Sequence, residues 1–326
     1  MKKGLKLILS LIVAFSIVGC SSNDKGKPTI VLYSSAEDFR NEHYQKRLNE
    51  QFPDYNISVQ YVSTGNTAAK IKSSGKSIEA DIIIELEHTY SQQLEENFHT
   101  LDDSLYTEVM DEFIPQSKKY VPTIRYSGAI IINEEVLKAK GLDVPTSYQD
   151  LLDPKYKGLI SMPNPKASGT GYMFLKNLVN VMGEEEAFAY FDQLSNNILQ
   201  YTSSGSGPVN ALVQKEAAIG LGMTFQAVEE INKGADLTIT TFSEGAPWTT
   251  NDTAIIEGRQ DKEGVKEVFE FFVKTLIREN AELYMPEPVL KDQTSSIENY
   301  PTNIQYGDMS TNTVEVRENL LAKWKY

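Results

Sequence analysis

The sequence predicts an α/β protein whose main part is divided into two lobes. Short β-branched runs alternate with segments of helical spacing, which favours sheets covered by helices on both faces. The chain has 326 residues, more than one compact hydrophobic core usually supports. Hydroxyl-bearing residues and glycines recur just after the apolar runs, where α/β sheets bind ligands. These three observations predict a two-lobed protein with a polar ligand site.

Seven β-branched runs are the strand candidates, and three apolar stripes predict helices. The strands are predicted at residues 29–33, 57–61, 82–84, 129–132, 159–162, 218–221 and 237–241. The apolar residues of segments 172–182, 187–194 and 265–276 recur every three or four positions, as on one face of a helix.

The N-terminus has the pattern of a signal peptide that ends at a modified cysteine. Three lysines precede an apolar run over residues 7–18, which is too short to cross a bilayer. Residues 17–20, Ile-Val-Gly-Cys, resemble the lipobox of bacterial lipoproteins, and Cys20 is the chain's single cysteine. We therefore expect a signal peptide at 1–19, lipid attachment at Cys20, a polar tether over 20–28, and a place on the outer face of the cell membrane.

The formal charge excludes one large class of partners. The whole chain carries −14, and loss of residues 1–19 with their three lysines lowers this to −17. Nucleic-acid binding relies on basic surfaces, so nucleic acid is excluded as a partner.

Four polar turns follow or connect the predicted strands. Each one alone is typical of an ordinary loop or helix cap, which is the alternative to a binding role. Their recurrence at the same topological position favours a binding site. The candidate residues in these turns are Ser34, Ser35, Thr64, Gly65, Asn66, Ser168, Gly169, Thr170, Ser203, Ser204, Gly205 and Ser206.

Four segments carry a resemblance to a known family. Residues 30–35, 79–83, 148–158 and 164–170 are similar to the type II periplasmic-binding proteins of the ferric-iron, 2-aminoethylphosphonate and hexose-phosphate branch. The resemblance implies two lobes joined by a hinge, with the solute held in the cleft between them. It places lobe 1 at 29–122 and 246–288, and lobe 2 at 123–245 and 289–326. It also implies a monomer that delivers its solute to an ABC permease and its ATPase.

The turns at 168–171 and 203–207 favour an anionic solute. Each precedes a predicted helix, and a helix N-terminus offers unpaired N–H groups and a favourable dipole end. Pro208 suits the first turn of the second helix. The two turns are expected to cradle a phosphonate, such as 2-aminoethylphosphonate, or a sugar phosphate. The alternative is that both are simply capped helix starts.

Ferric iron and a polyamine are the alternative solutes. Iron-binding members are expected to bring two tyrosines after the strand at 218–221, where this chain has Met-Thr-Phe-Gln with Thr224 as the candidate contact. The histidine that many members carry after the first strand is also absent from residues 34–37. A hard ferric ion needs several anionic oxygen ligands. No metal or other cofactor is therefore expected.

Acidic residues near the inferred cleft suggest a cationic end on the solute. Glu85 and Glu87 follow one strand, and Glu244, Trp248 and Asp252 lie where the chain returns to the first lobe. A carboxylate with an aromatic face suits an ammonium group. Glu85 and Trp248 are therefore candidate contacts, and solvated surface carboxylates are the alternative.

Enzymatic motifs are missing from the sequence. The three histidines lack metal-ligand spacing, and neither a Gly-x-Ser-x-Gly elbow nor a P-loop is present. The chain is expected to bind rather than catalyse. Since fold alone does not fix function, an adhesin or sensor on the cell surface remains the alternative from another class.

Overall fold

The computed structural model describes residues 26–294, 296–309 and 311–326. The predicted signal peptide at 1–19, Cys20 and most of the tether lie outside the described residues. Among the residues the structure describes, no helix has the length and apolar character needed to span a membrane.

Nine strands and eleven α-helices make up the regular structure of the described residues. The strands are β1 (Thr29–Ser34), β2 (Asn56–Tyr61), β3 (Ile82–Glu87), β4 (Val121–Ile132), β5 (Ile160–Pro163), β6 (Ile198–Thr202), β7 (Ile219–Met223), β8 (Thr238–Thr240) and β9 (Trp248–Ile255). The helices are α1 (Asp38–Gln51), α2 (Thr64–Ser74), α3 (His88–Leu94), α4 (Glu134–Ala139), α5 (Gly169–Met182), α6 (Glu184–Leu194), α7 (Gly207–Val213), α8 (Thr224–Asn232), α9 (Val265–Phe271), α10 (Ile277–Leu283) and α11 (Val314–Lys323).

The strands follow the order β2-β1-β3-β9-β4-β7-β5-β6, with β8 paired to β4. The long strand β4 connects two halves of this arrangement. Its first part, Val121 to Ser127, pairs with β9, and its second part, Gly128 to Ile132, pairs with β7. β1 runs parallel to β2 and β3, and β5 runs parallel to β6 and β7. Each half is thus a small α/β sheet, and β4 passes from one to the other.

Separate hydrophobic cores fill the two halves. The first half packs Ile30, Leu48 and Phe269 among its buried residues, and the second packs Phe174 and Phe191. A two-lobed α/β architecture follows, as the sequence predicted.

The predicted lobe boundaries can be compared with the places where the chain passes from one hydrophobic core to the other. Val121 lies in the first core and Ile124 in the second, on either side of the predicted boundary at 122/123. Near the other predicted boundary, at 288/289, Met285 lies in the second core and Val289 and Leu290 lie in the first. The boundaries themselves stay a prediction.

All seven predicted strands coincide with observed strands, while β6 and β9 are additional. β9 has the sequence Trp-Thr-Thr-Asn-Asp-Thr-Ala-Ile and lies buried between β3 and β4. Its polar residues hide it from a search for β-branched apolar runs, because hydrogen bonds rather than apolar contacts satisfy several of its side chains. The segment predicted as one helix at 265–276 continues to Leu283 through a π-helical turn at Phe272–Leu276.

Candidate functional site

Two helix N-termini meet where the lobes face each other. Helix α2 of lobe 1 begins at Thr64, and helix α5 of lobe 2 begins at Gly169. The Gly65 N–H donates to the Ala167 carbonyl across the gap at 3.3 Å. A Cβ atom on Gly65 would lie 2.7 Å from the Lys166 carbonyl oxygen, closer than real contacts allow. Glycine at position 65 therefore lets the two lobes approach to backbone contact.

Beside this contact lies a cleft lined by both lobes, with a cavity volume of about 30 Å³. Lobe 1 and the connecting strands supply Ser35, Glu37, Arg40, Tyr61, Ser63, Thr64, Glu87, Ile124, Tyr126 and Asn251. Lobe 2 supplies Ala167, Ser168, Gly169, Thr170, Ser204, Gly205, Met223 and Phe225. The hydroxyl, carboxylate and backbone groups of this lining suit a small polar molecule.

The lobe 2 wall is rich in hydrogen-bond donors. The first N–H groups of α5 have no intrahelical acceptor, and no acidic residue occupies its first turn. Ser168 occupies the N-cap position, yet its side chain makes no capping hydrogen bond. Gly205 lies so close to Thr170 that a Cβ atom there would be 2.5 Å from the threonine hydroxyl. This wall therefore presents backbone and hydroxyl donors that suit an anion.

Two lining side chains have buried polar atoms without a partner. The Ser63 hydroxyl and the Asn251 Oδ1 atom make no hydrogen bond in the described structure. Buried polar atoms are nearly always paired, by protein, by water or by ligand. Both atoms are therefore well suited to contact a bound solute.

Arg40 forms the centre of a buried ionic network on the lobe 1 side. Its guanidinium donates through both terminal nitrogens to Glu85, with Nη1 to Oε1 at 2.6 Å, and its Nε donates to Glu37 at 2.9 Å. Tyr44 adds a 2.8 Å hydrogen bond to Glu85. The Arg40 guanidinium also lies 5.2 Å from the Phe225 ring of lobe 2. The positive charge of Arg40 is thus already paired with the carboxylates of Glu37 and Glu85.

Glu37 offers an acceptor to the cleft. Its only described ion-pair partner is Arg40, which bonds Oε2. Burial raises the pKa of Glu37, an effect that Arg40 opposes and Glu85 reinforces. A cationic group on a solute would relieve this cost.

Glu87 lines the cleft, and residues outside the cleft donate hydrogen bonds to its carboxylate. Its Oε1 accepts from Thr249 at 2.9 Å, and its Oε2 accepts from Thr89 and from Arg317. The two guanidinium groups of Arg40 and Arg317 thus face three carboxylates, those of residues 37, 85 and 87, which leaves one carboxylate in excess.

The structure brings together seven of the candidate contact residues, and an eighth, Gly65, forms the lobe contact beside them. The seven lining residues are Ser35, Thr64, Ser168, Gly169, Thr170, Ser204 and Gly205. Pro208 stands in the first turn of α7, as predicted. Ser206 supports the lining indirectly, since its hydroxyl lies 2.9 Å from that of Ser204.

Several predicted contacts lie away from the cleft. Ser34 is buried and its hydroxyl accepts from the Ala36 N–H, because it points into the strand–helix turn. Glu85 lies behind Arg40 rather than at the surface of the cleft. Thr224 is buried against the Ser127 hydroxyl at 2.9 Å. Asn66 and Ser203 line an open depression that adjoins the cleft and shares Tyr61 and Ser63 with it.

The acidic side of the site also differs from the expectation. Trp248 donates to the Gly307 carbonyl at 2.9 Å and stacks on Arg125, so its ring is committed elsewhere. Asp252 pairs with His88, and Glu244 accepts from Ser243. Of the acids named from the sequence, only Glu87 reaches the cleft, where Glu37 joins it.

Sequence reasoning missed Glu37, Arg40, Tyr61, Tyr126 and Asn251, and it left Ser63 out of the candidates although Ser63 belongs to the same polar turn as Thr64. Arg40 carried a signal: it precedes Tyr44 and Leu48 at four-residue spacing, so it falls on the buried face of α1. An arginine on such a face needs a partner. Asn251 was missed because its strand, β9, was missed.

The turn where iron-binding members are expected to have tyrosines faces the cleft. Met223 and Phe225 from this turn line it, and neither offers an oxygen ligand. Within residues 26–294, 296–309 and 311–326, no group of three or more His, Cys, Asp or Glu side chains could hold a metal ion.

Comparison with known proteins gives the family. The profile of the family described as "Bacterial extracellular solute-binding protein" matches residues 66–305. A Salmonella typhimurium relative, provisionally named a 2-aminoethylphosphonate-binding periplasmic protein, is 23% identical over 313 residues, which cover 90% of this chain and 87% of the relative.

Two solved structures share the fold over nearly the whole chain. The periplasmic binding protein AfuA from Actinobacillus pleuropneumoniae, with fructose-6-phosphate bound, superposes with a TM-score of 0.80 at 24% identity, covering 91% of this chain and 97% of AfuA. The periplasmic binding protein P5PA superposes with a TM-score of 0.78 at 20% identity, covering 91% and 98%. These likenesses confirm the predicted type II periplasmic-binding-protein fold. The chain therefore belongs to the bacterial extracellular solute-binding proteins.

Proposed function

We propose that this protein captures a small phosphorus-containing anion between its lobes and delivers it to an ABC importer. The observation that carries the proposal is the convergence of the α2 and α5 N-termini on one cleft. The N-cap residues of these helices, Ser63 and Ser168, make no side-chain capping hydrogen bond. Opposed helix N-termini favour negative charge, and their N–H groups match phosphonate or phosphate oxygens.

The preferred solute is a zwitterionic phosphonate such as 2-aminoethylphosphonate. Because one carboxylate is in excess around the cleft, a purely anionic solute meets repulsion on the lobe 1 side. An ammonium group placed against Glu37 removes this repulsion while the phosphonate rests on α5. The name of the Salmonella relative supports this choice.

A sugar phosphate is the second candidate. The unpartnered Ser63 hydroxyl and Asn251 Oδ1 atom would suit sugar hydroxyl groups. The ligand of AfuA, fructose-6-phosphate, supports this candidate.

The proposed setting follows from the N-terminal pattern and the family. A lipid at Cys20 would hold the protein at the outer face of the membrane as a monomer, with an ABC permease and its ATPase as partners. Closure of lobe 1 (29–122 and 246–288) on lobe 2 (123–245 and 289–326) would trap the solute.

Isothermal titration calorimetry tests the proposal. The panel is 2-aminoethylphosphonate, methylphosphonate, glucose 6-phosphate, spermidine and ferric citrate, each with and without a chelator. Thr170→Ala should weaken binding of the phosphorus compound by about 10- to 100-fold, because it removes a hydrogen bond to a charged group. Binding of spermidine or chelatable iron alone would contradict the proposal.

A further inference from the structure

An arginine from the C-terminal helix bridges the two lobes beside the cleft. Helix α11 belongs to lobe 2, since Leu320 and the following Trp324 are buried in the second core. From this helix Arg317 reaches Glu87 at the end of β3 and Thr89 on α3, both in lobe 1. The Arg317 side chain therefore joins the two lobes.

The guanidinium is also packed between aromatic rings of both lobes. Its central carbon lies 3.6 Å from the ring centre of Tyr90 in lobe 1 and 4.3 Å from that of Tyr172 in lobe 2. Tyr172 lies in the first turn of α5, and its backbone N–H donates to the Ser168 carbonyl. Arg317 thus contacts the helix that supplies the donor wall and the carboxylate that lines the opposite wall.

This ion pair is not arranged for maximal stability. Arg317 and Glu87 are 2% and 1% exposed, and the Nε and Nη2 atoms of Arg317 have no hydrogen-bond partner. Desolvation of a buried ion pair offsets much of its attraction, especially when donors stay unpaired. If the lobes separate, water can hydrate both charges. While the lobes are in contact, however, loss of either partner leaves the other charge buried and uncompensated, which strongly destabilises the closed form.

Glu87 connects this ion pair to the cleft. Its side chain lines the cleft, and a Cβ atom on Gly169 would lie 2.8 Å from its Cγ atom, so the first turn of α5 rests on the Glu87 stem. We propose that Arg317 is an interlobe latch, a positioning residue that clamps Glu87 when the lobes close and so slows release of the solute. The inference rests on the proposed function in that the cleft holds the solute.

Helix α11 supplies a matched control for the latch. Lys323 lies on the same helix and pairs with Glu184 of α6, which is also in lobe 2. Both partners are exposed, and their pairing does not cross between lobes. Lys323→Ala removes a cation from α11 without touching the latch.

The test combines kinetics with small-angle X-ray scattering on the wild type, Arg317→Ala, Arg317→Lys and Lys323→Ala. Stopped-flow tryptophan fluorescence with 2-aminoethylphosphonate and glucose 6-phosphate gives the rate constants. Arg317→Ala should raise the dissociation rate constant by about 10- to 100-fold and change the association rate constant by less than about threefold. Arg317→Lys, which keeps the charge, should recover part of the loss. Lys323→Ala should match the wild type.

Scattering separates failure of the latch from failure of the proposed function. With bound probe, Arg317→Ala should show a larger radius of gyration than the wild type. If neither probe binds the wild type, the proposed function fails, and the ligand-free radii alone decide: Arg317→Ala should again be larger. Equal dissociation rates with a bound probe, or equal radii without one, would overturn the latch. If Arg317→Ala fails to fold, the same comparisons are made with Arg317→Lys, where the increases should be smaller but present.

Discussion

The backbone contact between the N-termini of α2 and α5 gives a sharp test of solute trapping by closure. In Gly65→Ala, the new Cβ would lie 2.7 Å from the Lys166 carbonyl oxygen and 3.0 Å from that of Ala167. An ordinary contact begins at 3.4 Å, so the lobes must separate by about 0.7 Å at this point. Both obstacles are backbone atoms, which cannot turn aside as a side chain can. The variant should therefore close incompletely.

The clash of the new Cβ with residues 166 and 167 arises only while the lobes are in contact. It should therefore weaken solute binding without lowering the stability of the open form. Overpacking of a tight contact costs about 1–3 kcal/mol, which corresponds to roughly 5- to 150-fold weaker solute binding. The ligand-free protein should be as stable as the wild type or slightly more stable, because Gly65 lies in the first turn of α2 and alanine favours a helix by up to about 1 kcal/mol.

Calorimetry with the tightest-binding solute of the panel measures the affinity, and thermal unfolding of ligand-free protein measures the stability. Ser73→Ala is the control, since Ser73 is exposed near the other end of the same helix. Wild-type affinity in Gly65→Ala, with an unchanged radius of gyration for the bound form, would refute closure at this contact.

Three further predictions concern charge and the membrane. Since burial raises the pKa of Glu37, the ratio of 2-aminoethylphosphonate to methylphosphonate affinity should fall as the pH is lowered and the Glu37 carboxylate becomes protonated, at a higher pH than an ordinary glutamate. Glu37→Gln should lower this ratio and remove its pH dependence, and an unchanged ratio in calorimetry would exclude an ammonium contact. Burial lowers the pKa of His88, but Asp252 outweighs this effect and the net shift is upward. Protonated His88 therefore adds stability that is present below the unfolded pKa of about 6.5 and lost as pH rises through the folded value. Urea denaturation should show that His88→Gln loses more stability near pH 6 than near pH 9, and equal losses would contradict this. Cys20→Ser should release a protein with the melting temperature of the processed form, whereas a variant still found in the membrane fraction after signal removal would exclude lipid attachment.

The sequence was most informative where apolar pattern and turn chemistry agree. The runs at 29–33 and 159–162 predicted β1 and β5, because buried parallel strands are nearly continuous in β-branched and apolar residues. The Ser168-Gly169-Thr170 turn predicted a helix start, and it lies in the cleft because strand ends of one α/β sheet meet at a common edge.

The parts that escaped prediction depend on contacts between distant segments. Arg40 and Glu85 are 45 residues apart, and Arg317 and Glu87 are 230 apart. Residue spacing within a helix or strand carries no information on such pairs, and an acid at a strand end can be a ligand contact or the partner of a buried arginine. The sequence predicts Glu85 as a ligand contact, whereas in the structure Glu85 is the partner of the buried Arg40. Trp248 was misplaced because β9, in which it lies, was not predicted.

We propose above all that the cleft binds a small phosphorus-containing anion. Mass spectrometry of the small molecules that co-purify with the protein, released by denaturation, tests this most directly. We expect a phosphonate or sugar phosphate, enriched in the wild type and depleted in Thr170→Ala and Gly65→Ala. A polyamine or a ferric complex, retained equally by the wild type and both variants, would contradict it.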